Sequence, residues 1–594
     1  MRTEARTVRT PDGLDLAVHV TGPEGAPVVV AVHGYPDDHT VWDGVVPLLA
    51  DSFRVVTYDV RGAGASQAPV DGEGYRVERL AADLVAVLDA VAADRPVHLL
   101  AHDWGSIQAW QAVTDPALRA RFASFTSISG PCLAHIGAFV HSARLRDRLR
   151  QLRRSWYVGF FRLPVLPELL WRSGLGGGLV ARREGVPRPA VRDAVRGLAL
   201  YRANLGRSGG ERRTEVPVQV LAPSRDRYVT QALQASAERF TADFRFRPVA
   251  GGHWLPRSRP DVVARCVREL VAAVAPDATH AAETVPGVTR AAATVPAATH
   301  GAATTPGATQ AAAMLPGAVP RRTVPTPGRW TDRLVLVTGA GSGIGRAVAR
   351  GFARRGAVVV AVDKELSTAR RTAFETGGHA YQVDVADPDA MATLADRVCT
   401  EIGVPDVVVN NAGIAVSGPF LAHEPADWRA IVDVNLMGVV HGCRLFAARM
   451  RERGEGGHLV NVASAAAFTP TTFLPAYCAT KSAVLMLSEC LRAELAADDI
   501  GVTALCPGFL PTDIGGSARF VGVDAATAAE RRRSTDRMLK RRPYALDKVA
   551  DAVVGAVEAN RPIQLLTVES RIAYVLSKVA PGALRRIARL PVPS

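Results

Sequence analysis

The chain has 594 residues, with 71 Lys and Arg, 57 Asp and Glu, seven Cys and 48% hydrophobic residues. That length excludes a single compact core and predicts two to four globular domains, and the composition excludes a disordered or fibrous chain. Only five basic residues are Lys, so the net charge of +14 is almost entirely Arg. Because such a bias is also compositional, it is weak support for nucleic-acid binding, and we predict no nucleic-acid partner.

The seven cysteines are scattered and form no CxxC pair. This favours reduced thiols in a cytoplasmic protein and predicts no metal site. The first residues, Met-Arg-Thr-Glu-Ala-Arg, are not followed by an apolar segment, so no signal peptide is predicted. No run of about 18 apolar residues occurs, so no membrane-spanning segment is predicted either.

A change of composition at 276–328 divides the chain. Proline recurs there every ten residues, at Pro286, Pro296, Pro306 and Pro316, within units rich in Ala and Thr. The segment lacks aromatic residues and large apolar faces, so it cannot offset the entropy of ordering by burial. We predict an Ala/Pro/Thr-rich decapeptide-repeat linker between two bodies, 1–275 and 329–594.

The first body alternates apolar strands with helical patterns, which predicts a parallel sheet. Strands are predicted at Val28–Val32, Phe53–Tyr58 and Val97–Ala101, and a helix at Ile107–Val113. Between the third strand and this helix lies Ala-His-Asp-Trp-Gly, in which small residues flank Asp103 at two positions on either side. This is the spacing of a nucleophile elbow, a sharp turn that lifts the central side chain above the sheet.

An aspartate at the elbow selects the chemistry. An alkylated serine would be an ether, whereas an alkylated aspartate is an ester that a base-activated water can hydrolyse. Asp103 therefore suits attack on an sp³ carbon, as in an epoxide or an alkyl halide. Asp226 and His253 follow two later predicted strands, in the order nucleophile, acid, histidine. The backbone N–H groups of Tyr35 and Trp104 are predicted to form the oxyanion hole.

With these motifs, residues 1–275 resemble the epoxide hydrolases of the α/β-hydrolase family, with a helical lid at about 132–215. The resemblance implies that two lid tyrosines, Tyr157 and Tyr201, hold and protonate the epoxide oxygen, and that this body needs no cofactor. Haloalkane dehalogenases resemble the same scaffold but usually have Asn after His-Gly and lack the tyrosine pair. A dehalogenase-type hydrolase therefore remains the alternative for this body.

The predicted lid holds 17 Arg and six acidic residues, which is +11 of the total charge. Two interpretations stay open: arginine-rich solvated helices, or attraction of anionic lipid headgroups or carboxylates to the mouth of the pocket.

The second body begins with a predicted strand, Leu334–Val337, followed by a glycine-rich turn and a helix. Such glycines let backbone N–H groups approach a pyrophosphate at the helix N-terminus. Asp363 ends the next predicted strand, 18 residues after Gly345. A carboxylate there binds the ribose 2′-OH and repels a 2′-phosphate, which favours NAD. Arg346 and Lys364 lie nearby, so NADP stays open.

Tyr477 and Lys481 are spaced i, i+4 and share one helix face. An ammonium group beside the phenol is expected to lower the pKa of Tyr477 toward neutrality. Ser464, at the end of the predicted strand His458–Val462, can hold the substrate oxygen. Tyr477 would then remove the hydroxyl proton of a secondary alcohol while hydride passes to a nicotinamide.

This body resembles the short-chain dehydrogenase/reductase family, with a Rossmann fold and homo-oligomerisation through this domain as implied properties. The resemblance gives Asn435 the role of a proton-relay helper beside Ser464, Tyr477 and Lys481. The cofactor-binding positions that it implies are Gly339, Gly341, Ser342, Gly343, Ile344, Gly345, Asp363, Asp384, Val385, Asn411, Ala412, Gly413, Tyr477, Lys481, Pro507, Gly508 and Thr512.

A basic C-terminal extension begins at about residue 571 and interleaves Arg and Lys with apolar residues. It predicts either contact with the inner membrane surface or packing at an oligomer interface or over the substrate cleft.

The whole arrangement is similar to actinobacterial, especially mycobacterial, fusions of an epoxide hydrolase with a short-chain dehydrogenase, which implies small-molecule substrates of hydrophobic or lipid character. We predict a bifunctional enzyme that opens an epoxide to a vicinal diol and interconverts a secondary alcohol and a ketone. The alternatives are an active dehydrogenase whose hydrolase-like domain only binds substrate or a partner, and a peripheral lipid-surface scaffold.

Overall fold

The computed structural model describes residues 3–204, 212–274, 330–541 and 544–588. These residues form two α/β bodies, one on each side of the predicted linker. The linker and its decapeptide repeat lie outside the described residues, as do residues 589–594 of the C-terminal extension.

The first body is built on an eight-stranded sheet in the order β1-β2-β4-β3-β5-β6-β7-β8. The strands are β1 Thr3–Arg9, β2 Asp15–Thr21, β3 Val28–Val32, β4 Arg54–Tyr58, β5 Val97–His102, β6 Phe122–Ile128, β7 Val218–Pro223 and β8 Phe244–Val249. β1 and β2 are antiparallel to their neighbours, and the remaining pairs are parallel. Every residue of β3 and β5 is buried, because helices cover both faces of the sheet.

Thirteen helices accompany this sheet in the described part of the first body. They are α1 Val46–Leu49, α2 Val77–Val91, α3 Trp104–Val113, α4 Leu133–Ser142, α5 Leu145–Arg154, α6 Trp156–Phe161, α7 Leu166–Arg172, α8 Leu175–Glu184, α9 Val191–Arg196, α10 Leu198–Asn204, α11 Gln231–Ala235, α12 Leu255–Ser258 and α13 Pro260–Val274. Helices α4 to α10 are inserted between β6 and β7 and form the lid.

The second body contains a seven-stranded parallel sheet in the order β11-β10-β9-β12-β14-β15-β17, and a two-stranded ribbon of β13 and β16. The strands are β9 Leu334–Thr338, β10 Val358–Asp363, β11 His379–Gln382, β12 Val407–Asn410, β13 Val416–Ser417, β14 Gly457–Val462, β15 Ile500–Cys506, β16 Arg519–Phe520 and β17 Ile563–Leu565. The order reverses between β9 and β12, and such a switch point is where doubly wound sheets bind dinucleotides.

The described helices of the second body cover both faces of its sheet and continue past its last strand. They are α14 Gly343–Ala353, α15 Leu366–Thr376, α16 Pro388–Glu401, α17 Pro425–Val432, α18 Gly438–Arg453, α19 Pro475–Glu494, α20 Ala525–Lys540, α21 Leu546–Glu558, α22 Val568–Val579 and α23 Pro581–Ile587. The basic extension predicted from about residue 571 is therefore helical where it is described.

One stretch of described helix, Pro425–Arg453, is long and apolar enough to cross a bilayer by length and composition alone. It joins α17 and α18 through a π-helical turn at Asp433–Met437. Phe446 and Met450 of this stretch are fully buried in the core of the second sheet. We therefore interpret it as a core helix of the second body.

The predicted strands are confirmed, with ends that match or are shifted by one residue. The helix expected from Ile107 instead begins at Trp104, because the elbow passes from β5 into α3 with Asp103 as its only intervening residue. The strand before Asp226 begins at Val218, after Pro217, which has no N–H to contribute to a sheet.

The two bodies touch through the ends of several elements. The N–H of Ala250 donates to the carbonyl of Gly454 (2.8 Å), and Arg265 donates to Glu455 (2.8 Å). Ser224 donates to Asp499, and the neighbouring Arg225 donates to the carbonyl of Ala497 (2.6 Å). On the first body these contacts fall on the loops after β7 and β8 and on α13, which carries Arg265. On the second body they lie just before β14 and β15.

Gly454 offers a test of this contact. It ends α18 at φ +70°, and a Cβ there would lie 2.5 Å from Cγ2 of Val262 in the first body. Gly454→Ala should therefore loosen the contact in addition to the strain of about 1 kcal/mol that a left-handed Ala carries. The expected result is faster hydrogen exchange at Ala250, measured by mass spectrometry.

Gly377 is the matched control, because it ends α15 at φ +65° with nothing within 4 Å of a Cβ. Gly377→Ala should leave exchange at Ala250 unchanged. Equal exchange at Ala250 in both variants would contradict the contact.

Candidate functional sites

The first candidate site is centred on Asp103, at the elbow between β5 and α3. Its backbone has φ +52° and ψ −122°, a strained conformation for a residue with a side chain. Two glycines make the turn possible. A Cβ on Gly105 would lie 2.3 Å from the carbonyl oxygen of Val32, and one on Gly34 would lie 2.6 Å from the Cβ of Asp103. The close packing around the turn fixes the carboxylate above the sheet.

The structure brings the predicted nucleophile, acid and histidine together. Nε2 of His253 lies 3.6 Å from Oδ1 of Asp103, and Nδ1 lies 3.1 Å from Oδ2 of Asp226. Asp226 also accepts hydrogen bonds from the N–H groups of Tyr228 (2.8 Å) and Val229 (3.0 Å). The imidazole thus lies between two carboxylates, with one ring nitrogen facing each.

The charges of this cluster depend on one another. Burial opposes the ionised form of both carboxylates, but His253 more than compensates and holds the pKa of Asp103 and of Asp226 below the usual value. Burial also opposes the charged imidazole, yet Asp226 and Asp103 together raise the pKa of His253 to about 10. At neutral pH the resting cluster holds two carboxylates and one imidazolium.

The predicted oxyanion donors lie beside the nucleophile. The N–H of Tyr35 donates to Oδ2 of Asp103 (2.9 Å), the oxygen that does not face His253. Trp104 is the first residue of α3, so its N–H belongs to the first turn, where backbone donors have no partner within the helix. The hydroxyl of Tyr35 is engaged elsewhere, on the carbonyl of Ala194 (2.7 Å).

Both predicted lid tyrosines lie in the same aromatic pocket as Asp103. The ring of Tyr201 is 5.0 Å from that of Trp104 and 6.0 Å from that of Tyr157, and burial raises the pKa of both phenols well above the usual value. Tyr157 belongs to α6 and Tyr201 to α10. The two phenols therefore remain protonated donors at neutral pH.

Sequence reasoning missed two residues of this pocket. The Tyr228 ring lies 4.7 Å from that of His253 and 5.3 Å from that of Tyr157, and its position two residues after Asp226 was the available signal. Glu184, at the end of α8, has a side chain only 5% exposed and lies 3.4 Å from Nε of Arg227. Burial raises the pKa of Glu184 while the charge of His253 opposes the rise. No sequence pattern connects α8 with the loop after β8, which carries His253.

One further group of the described residues, His19, His39 and Asp59, is close enough to hold a metal ion. Asp59 already accepts bonds from the N–H of His39 (2.9 Å), from its Nδ1 (2.7 Å) and from the N–H of Ala65 (2.8 Å). These bonds explain the position of Asp59 and His39, which support the turn after β4.

The second candidate site begins with the glycine-rich turn between β9 and α14. A Cβ on Gly345 would lie 2.2 Å from the carbonyl oxygen of Gly339, and one on Gly341 would lie 2.2 Å from Oγ1 of Thr368. Asn411 donates to the carbonyls of Thr338 (2.9 Å) and Gly339 (3.0 Å) and so ties β12 to this turn. Only glycine fits this packing, which leaves bare backbone at the N-terminus of α14.

Other predicted cofactor positions gather at the same edge of the sheet. Thr512 lies 3.4 Å from where a Cβ of Gly343 would be, and Val385 packs against Gly438. Asp384 accepts from the N–H of Ala386 (3.0 Å). Asn411, Ala412 and Gly413 follow β12, and Pro507 and Gly508 follow β15. Ser342 caps α14, and Ile344 lies in its first turn.

Asp363 lies at the end of β10, directly beside the glycine turn. Its Oδ2 accepts from the N–H of Gly341 (2.8 Å), and its Oδ1 accepts from the N–H of Glu365 (3.1 Å). Arg346, one of the two cations that left NADP open, donates from Nε to Glu375 (3.0 Å). The other, Lys364, is exposed.

Tyr477 and Lys481 lie on one face of α19, as the spacing predicts, with Nζ 5.7 Å from the centre of the phenol ring. The expected lowering of the tyrosine pKa is wrong for this structure. Burial raises the pKa of Tyr477 to about 12, against the effect of a hydrogen bond with Ser464. The ammonium does not reach the phenol oxygen because Nζ donates to the carbonyl of Val462 (2.8 Å), and burial lowers its own pKa to about 8.

Asn435, the predicted relay helper, is fully buried in the π-helical turn. Its Oδ1 accepts from the N–H of Ile414 (2.8 Å), and its Nδ2 donates to the carbonyl of Ile414 (3.0 Å). A Cβ on Gly413 would be 3.2 Å from that Oδ1 and 3.5 Å from Nζ of Lys481. The bare Cα of Gly413 thus leaves room where Asn435 and Lys481 approach each other.

Comparisons with known proteins match the two bodies to two different families. A family model of the alpha/beta hydrolase fold matches residues 27–188, and a model of short chain dehydrogenases matches residues 333–519. A protein of Mycobacterium tuberculosis named "Probable oxidoreductase EphD" is 39% identical over an alignment of 620 positions that covers 99% of each chain.

The chain belongs to the EphD family of hydrolase–dehydrogenase fusions. Solved structures match each half of this family member separately. A short-chain dehydrogenase from Burkholderia phymatum in complex with NAD is 27% identical and covers 45% of this chain and 98% of its own, with a TM-score of 0.40. An epoxide hydrolase from hot-environment metagenomes is 23% identical and covers 46% of this chain and 99% of its own, with a TM-score of 0.39.

The effect of Asp103 on the pKa of His253 can be tested in this EphD-family chain. Asp103→Asn removes one of the two carboxylates that raise the pKa of His253, so that pKa should fall from about 10. The measurement is a titration of the His253 imidazole by NMR. Asp147→Asn, in α5, is a control that should leave the titration unchanged, and an unchanged His253 pKa in Asp103→Asn would contradict the coupling.

Proposed function

We propose that the first body hydrolyses epoxides to vicinal diols through an ester on Asp103. The single observation that carries this proposal is the combination of an aspartate at the elbow with two protonated lid phenols in the same pocket. A carboxylate is a nucleophile for an sp³ carbon, and phenols can donate to the oxygen that leaves it. The aromatic lining further supports a hydrophobic epoxide.

In the first step, an oxygen of Asp103 attacks an epoxide carbon and forms a C–O bond. The bond from that carbon to the epoxide oxygen breaks, and the oxygen takes a proton from Tyr157 or Tyr201. Both phenols are protonated at neutral pH because burial raises their pKa. The attack turns the charged carboxylate into a neutral ester.

The second step follows from that loss of charge. With Asp103 esterified, one of the carboxylates that stabilise the imidazolium is gone, and the pKa of His253 falls. The imidazolium can return a proton to the lid phenolate, and neutral His253 can then activate a water molecule. Water adds to the ester carbonyl, whose oxygen is stabilised by the N–H groups of Tyr35 and Trp104. Collapse breaks the bond from the carbonyl carbon of Asp103 to the substrate oxygen, and this leaving alkoxide takes the proton of the carboxylic acid that forms. The diol is released, Asp103 is again a carboxylate, and His253, which took the proton from water, is again an imidazolium.

A histidine variant tests this proposal. His253→Gln removes the base for the second step but keeps the nucleophile, so incubation with a styrene-type epoxide should leave an alkyl ester on Asp103. Mass spectrometry of the peptide that contains Asp103 measures the adduct. The double variant His253→Gln/Asp103→Asn should carry none. If the wild-type chain makes no diol and His253→Gln accumulates no ester, the hydrolase-like body serves only to bind substrate or a partner.

For the second body we propose NAD-dependent interconversion of a secondary alcohol and a ketone. The bare glycine backbone at α14, the carboxylate of Asp363 and the space beside Gly413 fit a nicotinamide dinucleotide. When bound, this cofactor supplies the acceptor or donor of hydride. Residues 339–345 would hold its pyrophosphate, and Pro507, Gly508 and Thr512 lie at the end of β15 where the nicotinamide would bind.

The side chains of this body handle the proton. The hydroxyl of Ser464 can hold the substrate oxygen, and Tyr477 can take the proton from the alcohol as the hydride leaves. Lys481 lies on the same helix face and is buried. Because the pKa of Tyr477 is raised to about 12, the phenolate fraction is small at pH 7 and increases about tenfold for each pH unit below that value.

The preference for NAD rests on one carboxylate and one ion pair. Asp363 places a carboxylate at the end of β10, where it would repel a 2′-phosphate. Arg346, which could otherwise attract that phosphate, is paired with Glu375. Wild-type turnover with NADP equal to that with NAD would contradict the preference.

Tyr477→Phe tests the dehydrogenase assignment. The variant cannot accept the proton, so oxidation of a secondary alcohol with NAD should fall by about 10²-fold or more. In the wild-type chain the oxidation rate should increase between pH 7 and 9, because the phenolate fraction grows. Stopped-flow absorbance of the reduced nicotinamide measures both. Tyr381→Phe, on β11, is the control, and normal turnover in Tyr477→Phe would refute the assignment.

A further inference from the structure

Helix α5 of the lid exposes the face that an amphipathic helix normally buries. Its sequence, Leu-Arg-Asp-Arg-Leu-Arg-Gln-Leu-Arg-Arg, places apolar residues at helical spacing, yet none of its residues is buried. Leu145, Leu149 and Leu152 are 62%, 56% and 70% exposed, and Trp156, one turn later, is 67% exposed. The spacing i, i+4, i+7 aligns the three leucines in one stripe. The exposed Trp156 follows at the start of α6, past the turn at Ser155.

The lid segments that follow α5 also expose apolar side chains. Six further aliphatic side chains around α7 and α8 are each at least 44% exposed: Leu163, Val165, Leu166, Leu169, Leu175 and Leu179. Scattered exposed apolar residues are normal on a protein surface, but a concentration of this kind on consecutive helices marks an interaction site.

The flanks of the stripe are cationic. Residues 144–154 contain six arginines, and among the described residues none of the six forms an ion pair with a carboxylate. Arg144, Arg146, Arg150 and Arg153 are exposed. Two of the six, Arg148 and Arg154, donate to backbone carbonyls. An apolar stripe flanked by guanidinium groups without carboxylate partners is the pattern of a helix that lies in the interface of an anionic membrane.

The charge also decides between occupants of this surface. In a symmetric dimer, the same patch of each copy would face the other, and the unpaired arginines of both copies would come together. Anionic headgroups neutralise those arginines while the acyl region takes up the leucines. We infer that helices α5 to α8 bind the surface of an anionic lipid bilayer, with Leu145, Leu149, Leu152 and Trp156 inserted.

This surface lies beside the first candidate site. Trp156 follows the stripe, and the next residue, Tyr157, turns its ring into the pocket, 5.3 Å from that of Tyr228. A lid held at the bilayer would bring the pocket next to a store of hydrophobic epoxides. The supply of epoxides from the bilayer to the pocket rests on the proposed function, whereas the membrane contact itself does not.

The test uses the full chain and flotation with two kinds of vesicle, phosphatidylcholine alone and phosphatidylcholine mixed with phosphatidylglycerol. The wild-type chain should float with the mixed vesicles and bind less as salt is added. The triple variant Leu145→Gln/Leu149→Gln/Leu152→Gln keeps good helix formers on exposed positions, and its binding should fall at least about tenfold.

Two further variants separate the contributions. Phe374→Gln/Leu421→Gln/Met486→Gln removes three exposed apolar side chains of the second body and should bind as the wild type does. Arg144→Gln/Arg146→Gln/Arg150→Gln/Arg153→Gln should lose the preference for the mixed vesicles. The inference is overturned if the wild type ignores both vesicles or if the leucine variant binds normally. It is also overturned if that variant only changes the sedimentation of an oligomer, because the surface would then cover a second copy.

Hydrolysis of a water-soluble styrene-type epoxide without lipid keeps the two proposals distinguishable. The leucine variant should match the wild-type rate, because the three leucines do not line the pocket. A wild-type chain that floats with anionic vesicles but forms no diol would refute the proposed hydrolase and leave the membrane contact standing.

Discussion

The first body depends on a buried imidazolium that lies between two buried carboxylates. Removing one partner of such a pair typically costs about 3–5 kcal/mol, because a charge is left in the interior without compensation. The fold therefore has to hold the side chains of Asp103, Asp226 and His253 at fixed distances from one another, although they come from three different loops. The strained elbow fixes the first carboxylate, and two backbone N–H groups fix the second. The same arrangement would carry the proposed chemistry, because esterification of Asp103 would change the balance that keeps His253 protonated.

The second body helps to position two of these loops. The loops after β7 and β8, which carry Asp226 and His253, rest on Asp499 and Gly454. These contacts lie before β14 and β15, whereas the predicted dehydrogenase residues lie at the opposite ends of those strands. A strand of six or seven residues spans about 20 Å. The contact thus supports the hydrolase loops while the predicted dehydrogenase site lies at the far edge of the second sheet.

Sequence reasoning recovered the features that local pattern determines. The strand of Val28–Val32, the elbow at Asp103 and the glycine turn before α14 are each specified by a few adjacent residues. Glu184 was out of reach because only the folding of the lid brings α8 beside His253. The pKa of Tyr477 was predicted in the wrong direction for a related reason. The i, i+4 spacing specifies that Lys481 shares its helix face, but the direction of Nζ depends on the carbonyl of Val462 in the neighbouring strand.

The lid shows what side-chain exposure adds to two interpretations that composition leaves open. An excess of arginine fits solvated helices and anionic surfaces equally well, because both keep guanidinium groups in water. The leucines distinguish them: in a helix that merely covers a pocket, the apolar stripe would face inward and the arginines outward. In α5 the stripe faces solvent while the neighbouring tyrosine of α6 faces the pocket. One short segment therefore has an apolar face toward solvent and an aromatic side chain toward the pocket, which is the arrangement that the inferred membrane contact requires.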